Sequence, residues 1–247
     1  MSPIAAAATA ALLIIGSAAA GVVLRSRLPE AHLTGDSKDV IKLATALIAT
    51  LSALVLGLLF AATHDSFDAT SAAVSRMTAD VAELDQLMVE YGPEADPVRA
   101  ALRLEVQWLL ASLWRTEGPG GTAGARPLRH QEGMIAKVRD LDPHGPVQTS
   151  LKARAHQVAT DLAQVRLDLF AQPSDSLSST FMVTLVAWLM VIFCVFGMSA
   201  PPNATLLTVL ALCILSAAAA LYLIIELGQP FDGLMQVSSE GLRHALQ

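Results

Sequence analysis

Long runs without a charged side chain limit the folds open to this chain more than any other feature. They cover residues 2–24, 43–63 and 176–225, and Ser199-Ala200-Pro201-Pro202-Asn203 divides the last run in two. Proline lacks a backbone donor and asparagine favours turns, so the last run predicts two helices joined by a tight turn. A helix of 21 residues is about 31 Å long, which matches the hydrocarbon thickness of a bilayer. The sequence therefore predicts four transmembrane helices.

The charged residues are concentrated in one segment. Of the 16 basic and 22 acidic residues, 11 and 16 lie between Asp65 and Asp175. This separation predicts a water-soluble insert between the second and third spans rather than a large soluble core. The first run has no basic segment before it and is longer than the apolar core of a signal peptide, so we expect a span there and not a cleaved leader. The formal net charge of −6 argues against nucleic acid as a partner.

The insert shows helical periodicity throughout. Its first segment, Asp65–Tyr91, continues from the second span without Pro or Gly, and its last predicted helix covers Val147–Phe170. Both carry apolar residues at alternating spacings of three and four, which indicates two matched partner helices in a coiled-coil-like bundle. The first seam consists of Val74, Met77, Val81, Leu84, Met88 and Tyr91, and the second of Leu151, Ala155, Val158, Leu162, Val165 and Leu169. Shorter helices are predicted over Pro97–Trp114 and Leu128–Leu141, separated by a flexible break at Gly118–Pro127.

The predicted fold is an all-α membrane protein with four transmembrane helices in two hairpins and a helical soluble insert between the second and third spans. The expected domains are residues 1–64 with spans one and two, 65–176 with the helical bundle insert, 177–226 with spans three and four, and 227–247 as a C-terminal helical tail.

The second span carries two stripes at helical spacing. One could line a pore, with Leu56 and Phe60 as a hydrophobic constriction that gates by dewetting. The other consists of small residues, which let neighbouring helices approach closely. The alternative is that both stripes bury against other helices. The pore-lining candidates are Thr45, Ala49, Ser52, Leu56, Phe60 and Thr63, and the helix-packing candidates are Ala46, Thr50, Ala53 and Gly57.

No enzyme signature is present in the sequence. The six histidines are scattered without metal-ligand spacing, and the glycine-rich residues 118–127 lack the Gly-Lys-Ser/Thr of a phosphate loop. Cys194 and Cys213 both lie in predicted spans, and we interpret them as small apolar side chains in helix packing. We therefore expect no catalytic residues, no metal site and no cofactor.

Four segments resemble a known family. GDSKDV (35–40), TALIATLSALVLGLL (45–59), APPN (200–203) and ELGQPFDGL (226–234) resemble the bacterial bestrophin-like family, which is distantly similar to the bestrophin channels. The resemblance implies a homo-oligomer, expected to be a pentamer, that conducts anions in a bacterial inner membrane. It places the pore on the second span, with a neck around Ser52, Leu56 and Phe60. The chain departs from true bestrophins in having one aromatic residue in this stripe and only Asp232 and Glu240 after the last span, so calcium gating is unsupported.

The side of the membrane on which the insert lies remains open at this point. With four spans, the insert and both termini share one face. The loop between the first two spans carries Arg25, Arg27 and Lys38, and Lys42 lies just inside the next helix. By the positive-inside rule this predicts a cytoplasmic loop and an external insert. The resemblance implies a cytoplasmic insert, and our prediction follows the resemblance. Lys38 and Lys42 are the candidate charges at the pore mouth.

Two functions are therefore weighed. The first is a homo-oligomeric ion channel whose second transmembrane helix lines the pore. The alternative is a non-conducting membrane sensor or scaffold whose coiled-coil insert binds a partner protein. The expected partners are the lipid bilayer, other copies of this chain and inorganic ions, with anions implied by the resemblance. No nucleic acid is expected.

Overall fold

The structure, a computed structural model, describes residues 3–27, 36–114, 127–171, 179–199, 203–231 and 233–245. These residues are helical with short connections, and no strand occurs among them. The α-helices in chain order are α1 (Pro3–Arg27), α2 (Asp36–Tyr91), α3 (Asp96–Leu113), α4 (Pro127–Arg139), α5 (Pro146–Ala171), α6 (Ser179–Ser199), α7 (Ala204–Leu227) and α8 (Glu240–His244). A 3-10 turn at Pro93–Ala95 leads into α3. The predicted break at 118–127 and the Pro201-Pro202 turn fall largely outside the described residues.

Four of these helices, namely α1, α2, α6 and α7, are long and apolar enough to cross a membrane. The prediction of four transmembrane helices is confirmed on these criteria. α2 continues beyond its apolar part to a total of 56 residues, as the absence of Pro and Gly from Asp65–Tyr91 predicts. The chain is a multi-pass helical membrane protein.

The chain divides into two compact units. The membrane unit comprises residues 1–67 and 175–229, and the insert unit comprises residues 68–174 and 230–247. α2 supplies its first part to the membrane unit and its second part to the insert unit.

In the membrane unit, α1 and α6 pack against each other as parallel helices. The Ser17 hydroxyl donates to the carbonyl of Met190, and the guanidinium of Arg25 donates to the carbonyl of Met198 at 2.8 Å. The two contacts keep the same offset along both helices, so the chain direction is the same in each. Between them a Cβ at Gly21 would lie 2.1 Å from the carbonyl oxygen of Cys194, which only glycine avoids.

The core of the membrane unit lies among α1, α6 and α7. Its buried residues are Ala10, Ile14, Ala18, Leu185, Phe193, Leu210, Ile214 and Leu221. Val55, Leu56 and Leu59 of α2 are partly buried against this cluster. α7 begins at the N-cap Asn203, whose side-chain oxygen accepts from the backbone N–H of Leu206 at 2.7 Å.

In the insert unit, α5 runs antiparallel to the second part of α2. The side chain of Gln148 donates to the carbonyl of Tyr91 at 3.0 Å, and Arg154 pairs with Glu83 at 2.6 Å. All six residues of the predicted α2 seam are buried, and so are all of the α5 seam except the half-buried Val165. The two seams therefore form the core of this unit.

A buried ion pair links α3 to α5 inside the insert unit. The Arg166 guanidinium binds the Glu105 carboxylate, and both residues are nearly inaccessible. The guanidinium carbon of Arg166 also lies 5.9 Å from the centre of the Trp108 ring. A buried charge needs such partners because its desolvation is costly, so this pair fixes which residues of α3 and α5 face each other.

The C-terminal tail folds as part of the insert unit. The indole of Trp114 donates to the carbonyl of Val237 at 2.7 Å, and its ring packs edge-on against Phe231 with 5.3 Å between centroids. Only Glu240–His244 is helical among the described tail residues, although the sequence predicts a helical tail over 227–247. The earlier part forms turns, which fits Pro230 and the positive φ of 99° at Gly233.

Candidate pore face on α2

The apolar part of α2 presents three different faces. Successive residues of a helix are rotated by about 100°, so Ser52, Ala53 and Leu54 point in three directions at nearly the same depth. Ser52 is buried, whereas Ala53 and Leu54 are exposed. Ser52 belongs to the buried face of the helix, Ala53 to the small face and Leu54 to the leucine face.

The buried face contains the hydroxyl residues Thr45, Ser52 and Thr63, which are between 1% and 6% exposed. Each hydroxyl donates to the backbone carbonyl four residues earlier, at 2.7 Å, 2.8 Å and 2.9 Å respectively. These bonds satisfy the hydroxyl protons inside the helix itself. Ala49 and Leu56 of the same predicted stripe are half-buried.

The leucine face is apolar and open. Leu43, Leu47, Leu54 and Leu58 are all more than half exposed. Leucine side chains are as apolar as lipid tails, so this face is suited to contact with hydrocarbon.

The small face comprises Ala46, Thr50, Ala53 and Gly57, the predicted helix-packing stripe, and all four residues are exposed. A Cβ added at Gly57 would meet no heavy atom within 4 Å. The Thr50 hydroxyl donates to the carbonyl of Ala46 at 2.9 Å. Contacts within the chain therefore do not explain why this face is built from small residues.

Phe60 lies beside the small face and is 44% exposed. Its ring stacks on His64, with 6.1 Å between centroids and 9° between planes. Of the six pore-lining candidates, Phe60 alone is classed as exposed, while the other five are buried or half-buried.

The candidate pore-mouth charges lie at the start of α2. Lys42 is exposed and approaches Asp39 at 3.5 Å, with both side chains more than 60% exposed. Such a pair is screened by water and leaves both charges accessible to ions. Lys38 belongs to the first turn of α2, but its side chain lies outside the described part of the chain.

Among the described residues, no group of three His, Cys, Asp or Glu side chains is placed to hold a metal ion. The close α1–α6 packing at Gly21 and Gly197 is a feature that sequence reasoning missed. A Cβ at Gly197 would lie 2.4 Å from the carbonyl oxygen of Ala18, so both glycines are required there. Glycines within predicted spans were the signal available for it.

These features define a multi-pass helical membrane protein with four candidate spans and a second compact helical unit. The family model described as "Bestrophin-like domain" matches residues 12–242. The chain therefore belongs to the bestrophin-like family, and the resemblance seen in the sequence is confirmed. No curated protein and no solved structure matches the chain significantly.

Proposed function

We propose that this chain forms a homo-oligomeric ion channel in which the small face of α2, together with Phe60, borders the conduction path. Membership of the bestrophin-like family supports ion conduction, because its namesake bestrophins are ion channels. The observation that carries the proposal is the exposure of a small-residue face on a membrane helix.

Accessibility in the subunit favours the small face over the predicted pore-lining stripe. A side chain that lines a water-filled path in an oligomer must also be accessible in an isolated subunit. Thr45, Ser52 and Thr63 are buried within the chain and do not meet this condition. The small face and Phe60 do meet it, so the proposed lining shifts by about one residue around the helix from the predicted stripe.

The other two faces already have suitable surroundings. The buried face packs within its own subunit, and the leucine face matches lipid. The small face suits neither, because it is open and poorer in apolar area. In a ring of subunits the small face would point to a shared axis and border a water-filled path. The Phe60 side chain would then form a hydrophobic constriction in that path.

Some finer features of the proposal are supported by contacts in the structure, and others only by the family resemblance. If the four spans form two hairpins, the first and third spans cross the membrane in the same direction. The parallel packing of α1 and α6 supports this arrangement. The pentameric state, the anion preference, the bacterial inner membrane and the cytoplasmic insert come from the family resemblance.

A non-conducting scaffold is the second candidate, and the same face supports it. Small residues on an exposed helix surface also allow a second membrane helix to approach closely. In that case the small face would be covered by protein and would have no contact with water.

Cysteine accessibility distinguishes the two candidates at one depth in the membrane. The native Cys194 and Cys213 are first replaced by alanine, and Ala53→Cys is then introduced. A water-soluble thiol reagent should modify this cysteine in proteoliposomes and lower the anion flux by more than about half. The reaction requires a thiolate, which forms only where water reaches the sulfur.

Two neighbouring positions provide matched controls. Leu54→Cys should not react because it faces lipid, and Ser52→Cys should not react because it is buried in its subunit. If the proteoliposomes show no flux and Ala53→Cys is unreactive, the channel proposal fails and the scaffold is favoured. Reaction at Leu54→Cys or Ser52→Cys in place of Ala53→Cys would refute the proposed pore face while leaving conduction intact.

A further inference from the structure

An open pocket of the insert unit is lined by three basic side chains. It has a volume of about 370 Å³ and lies between the end of α4 and the first turns of α5. Arg139 is the last residue of α4, and Lys152 and His156 belong to α5. Pro143, Thr149 and Ala153 complete the lining.

The helical register of α5 brings these groups together. Thr149, Lys152 and His156 follow at spacings of three and four residues, so they lie on one side of the helix. The ammonium of Lys152 donates to the carbonyl of Leu141 at 2.7 Å, which ties α5 to the segment that follows α4. This bond fixes the position of the ammonium and leaves two of its three donors available.

The three basic groups have no acidic partner in the described part of the chain. No described carboxylate lies within 4 Å of Arg139, Lys152 or His156, whereas Arg99 and Arg154 of the same unit are both paired. The carboxylates of Asp140 and Asp142 are close in sequence but do not line the pocket. The positive charges of Arg139 and Lys152 repel each other with no described carboxylate within 4 Å of either, and a bound anion would relieve that repulsion.

We propose that this pocket binds a phosphate-bearing anion. The planar guanidinium of Arg139 suits two oxygens of a phosphate, and the free donors of Lys152 contact a third. His156 provides a further contact from the same side of α5. The Thr149 hydroxyl already donates to the carbonyl of Gly145 at 2.9 Å, so the charged side chains carry the recognition. The pocket is large enough for a phosphate ester as well as for the inorganic ion.

The proposal does not rest on ion conduction. It lies wholly in the insert unit, and none of its residues belongs to an apolar span. In a chain with a formal net charge of −6, a local basic pocket is a specific feature rather than part of a general positive surface.

Calorimetric titration of the full-length protein with inorganic phosphate tests the proposal. The protein is held in phosphatidylcholine nanodiscs at constant ionic strength. Phosphate should bind saturably with one site per chain. Arg139→Gln should weaken binding by about tenfold, as expected for loss of a charge-assisted hydrogen bond, and His156→Gln should weaken it by a smaller factor through loss of the imidazole contact. Arg103→Gln removes one positive charge from an exposed position of α3 and should leave the affinity unchanged within about twofold.

Absence of saturable phosphate binding would overturn the proposal, and so would an equal loss in Arg103→Gln, because that indicates only general electrostatic attraction. If Arg139→Gln does not fold, Arg139→Lys keeps the charge but loses the two-oxygen geometry, and it should still weaken binding. A second titration in phosphatidylglycerol nanodiscs identifies the source of the phosphate. Competition there indicates a lipid headgroup, and undiminished binding indicates a soluble anion.

Discussion

The two halves of α2 follow opposite rules of burial. In the membrane unit its buried positions include the hydroxyl residues Thr45, Ser52 and Thr63, whereas Leu43, Leu47, Leu54 and Leu58 are more than half exposed. In the insert unit the buried positions are Val74, Met77, Val81, Leu84, Met88 and Tyr91, and the outward positions carry most of the charge. One continuous helix thus changes from a polar-inside pattern to an apolar-inside pattern along its length.

The difference follows from the surroundings of each half. In water, burial of apolar area stabilises the packed helix by roughly 25 cal/mol per Å². Lipid removes that driving force, because an exposed leucine is as well solvated there as in a protein core. Periodicity therefore identifies the inner face of the insert half directly, whereas in the membrane half it identifies a distinct stripe without saying what that stripe faces.

The largest expected difference is between two Leu→Ala substitutions, one in each half of α2. Leu84→Ala removes a fully buried side chain in the insert unit and should cost about 2–5 kcal/mol of unfolding free energy. Leu54→Ala removes a side chain that is 59% exposed in the apolar part and should cost less than about 1 kcal/mol. Denaturant titration in detergent, followed by circular dichroism, measures both. Equal losses would contradict the inverted pattern.

A second pair compares two faces within the membrane half. Ser52→Leu forces a larger side chain into a packed site and should lower the stability of the subunit by about 1–3 kcal/mol. Ala53→Leu points to open space in the subunit, so the monomeric fold should be unchanged, while ion flux through proteoliposomes should fall several-fold. Thermal melting and flux assays of the two variants separate these effects. If Ala53→Leu alone destabilises the fold, the assignment of the faces is incorrect.

The smallest expected effect concerns charge on the insert half. Burial raises the pKa of the Asp80 carboxyl above its ordinary value of 3.8, and Asp161 and Glu83 raise it further against the attraction of Arg154 and Arg76. A raised pKa in the folded state means that ionised Asp80 lowers stability, so stability is highest below that pKa and falls as the pH rises through it.

Asp80→Asn should therefore stabilise the insert unit at neutral pH, by less than about 1 kcal/mol. The gain should disappear at acidic pH, where Asp80 is protonated in both the folded and the unfolded state. Melting curves across the pH range test this, with Asp168→Asn as an exposed control. A gain that does not change with pH would contradict the assigned cause.

The sequence predicts much of the fold because periodicity and charge act locally. The four apolar helices, the unbroken passage from the second span to Tyr91, and both seams of the insert follow from spacing alone. The mostly non-helical tail does not, because it depends on the packing of Trp114 against Phe231 and Val237.

The candidate site was harder to predict from sequence. Hydroxyl groups suit a watery pore, but they are equally satisfied inside a subunit when they donate to the carbonyl one turn earlier, as Ser52 does to Ile48. Small residues suit both close helix packing and an open path. Gly21 and Gly57 show the ambiguity, since a Cβ at the first would collide with a neighbouring backbone and a Cβ at the second would meet nothing.

The most direct test of this account is an electron cryomicroscopy map of the assembled protein in nanodiscs, viewed along the membrane normal. The account predicts a symmetric ring of copies with an axial opening, in which Ala53, Gly57 and Phe60 of every copy face the axis and Leu54 faces away. A map in which these small residues face lipid, or in which the protein is a single subunit with no axial opening, would contradict it.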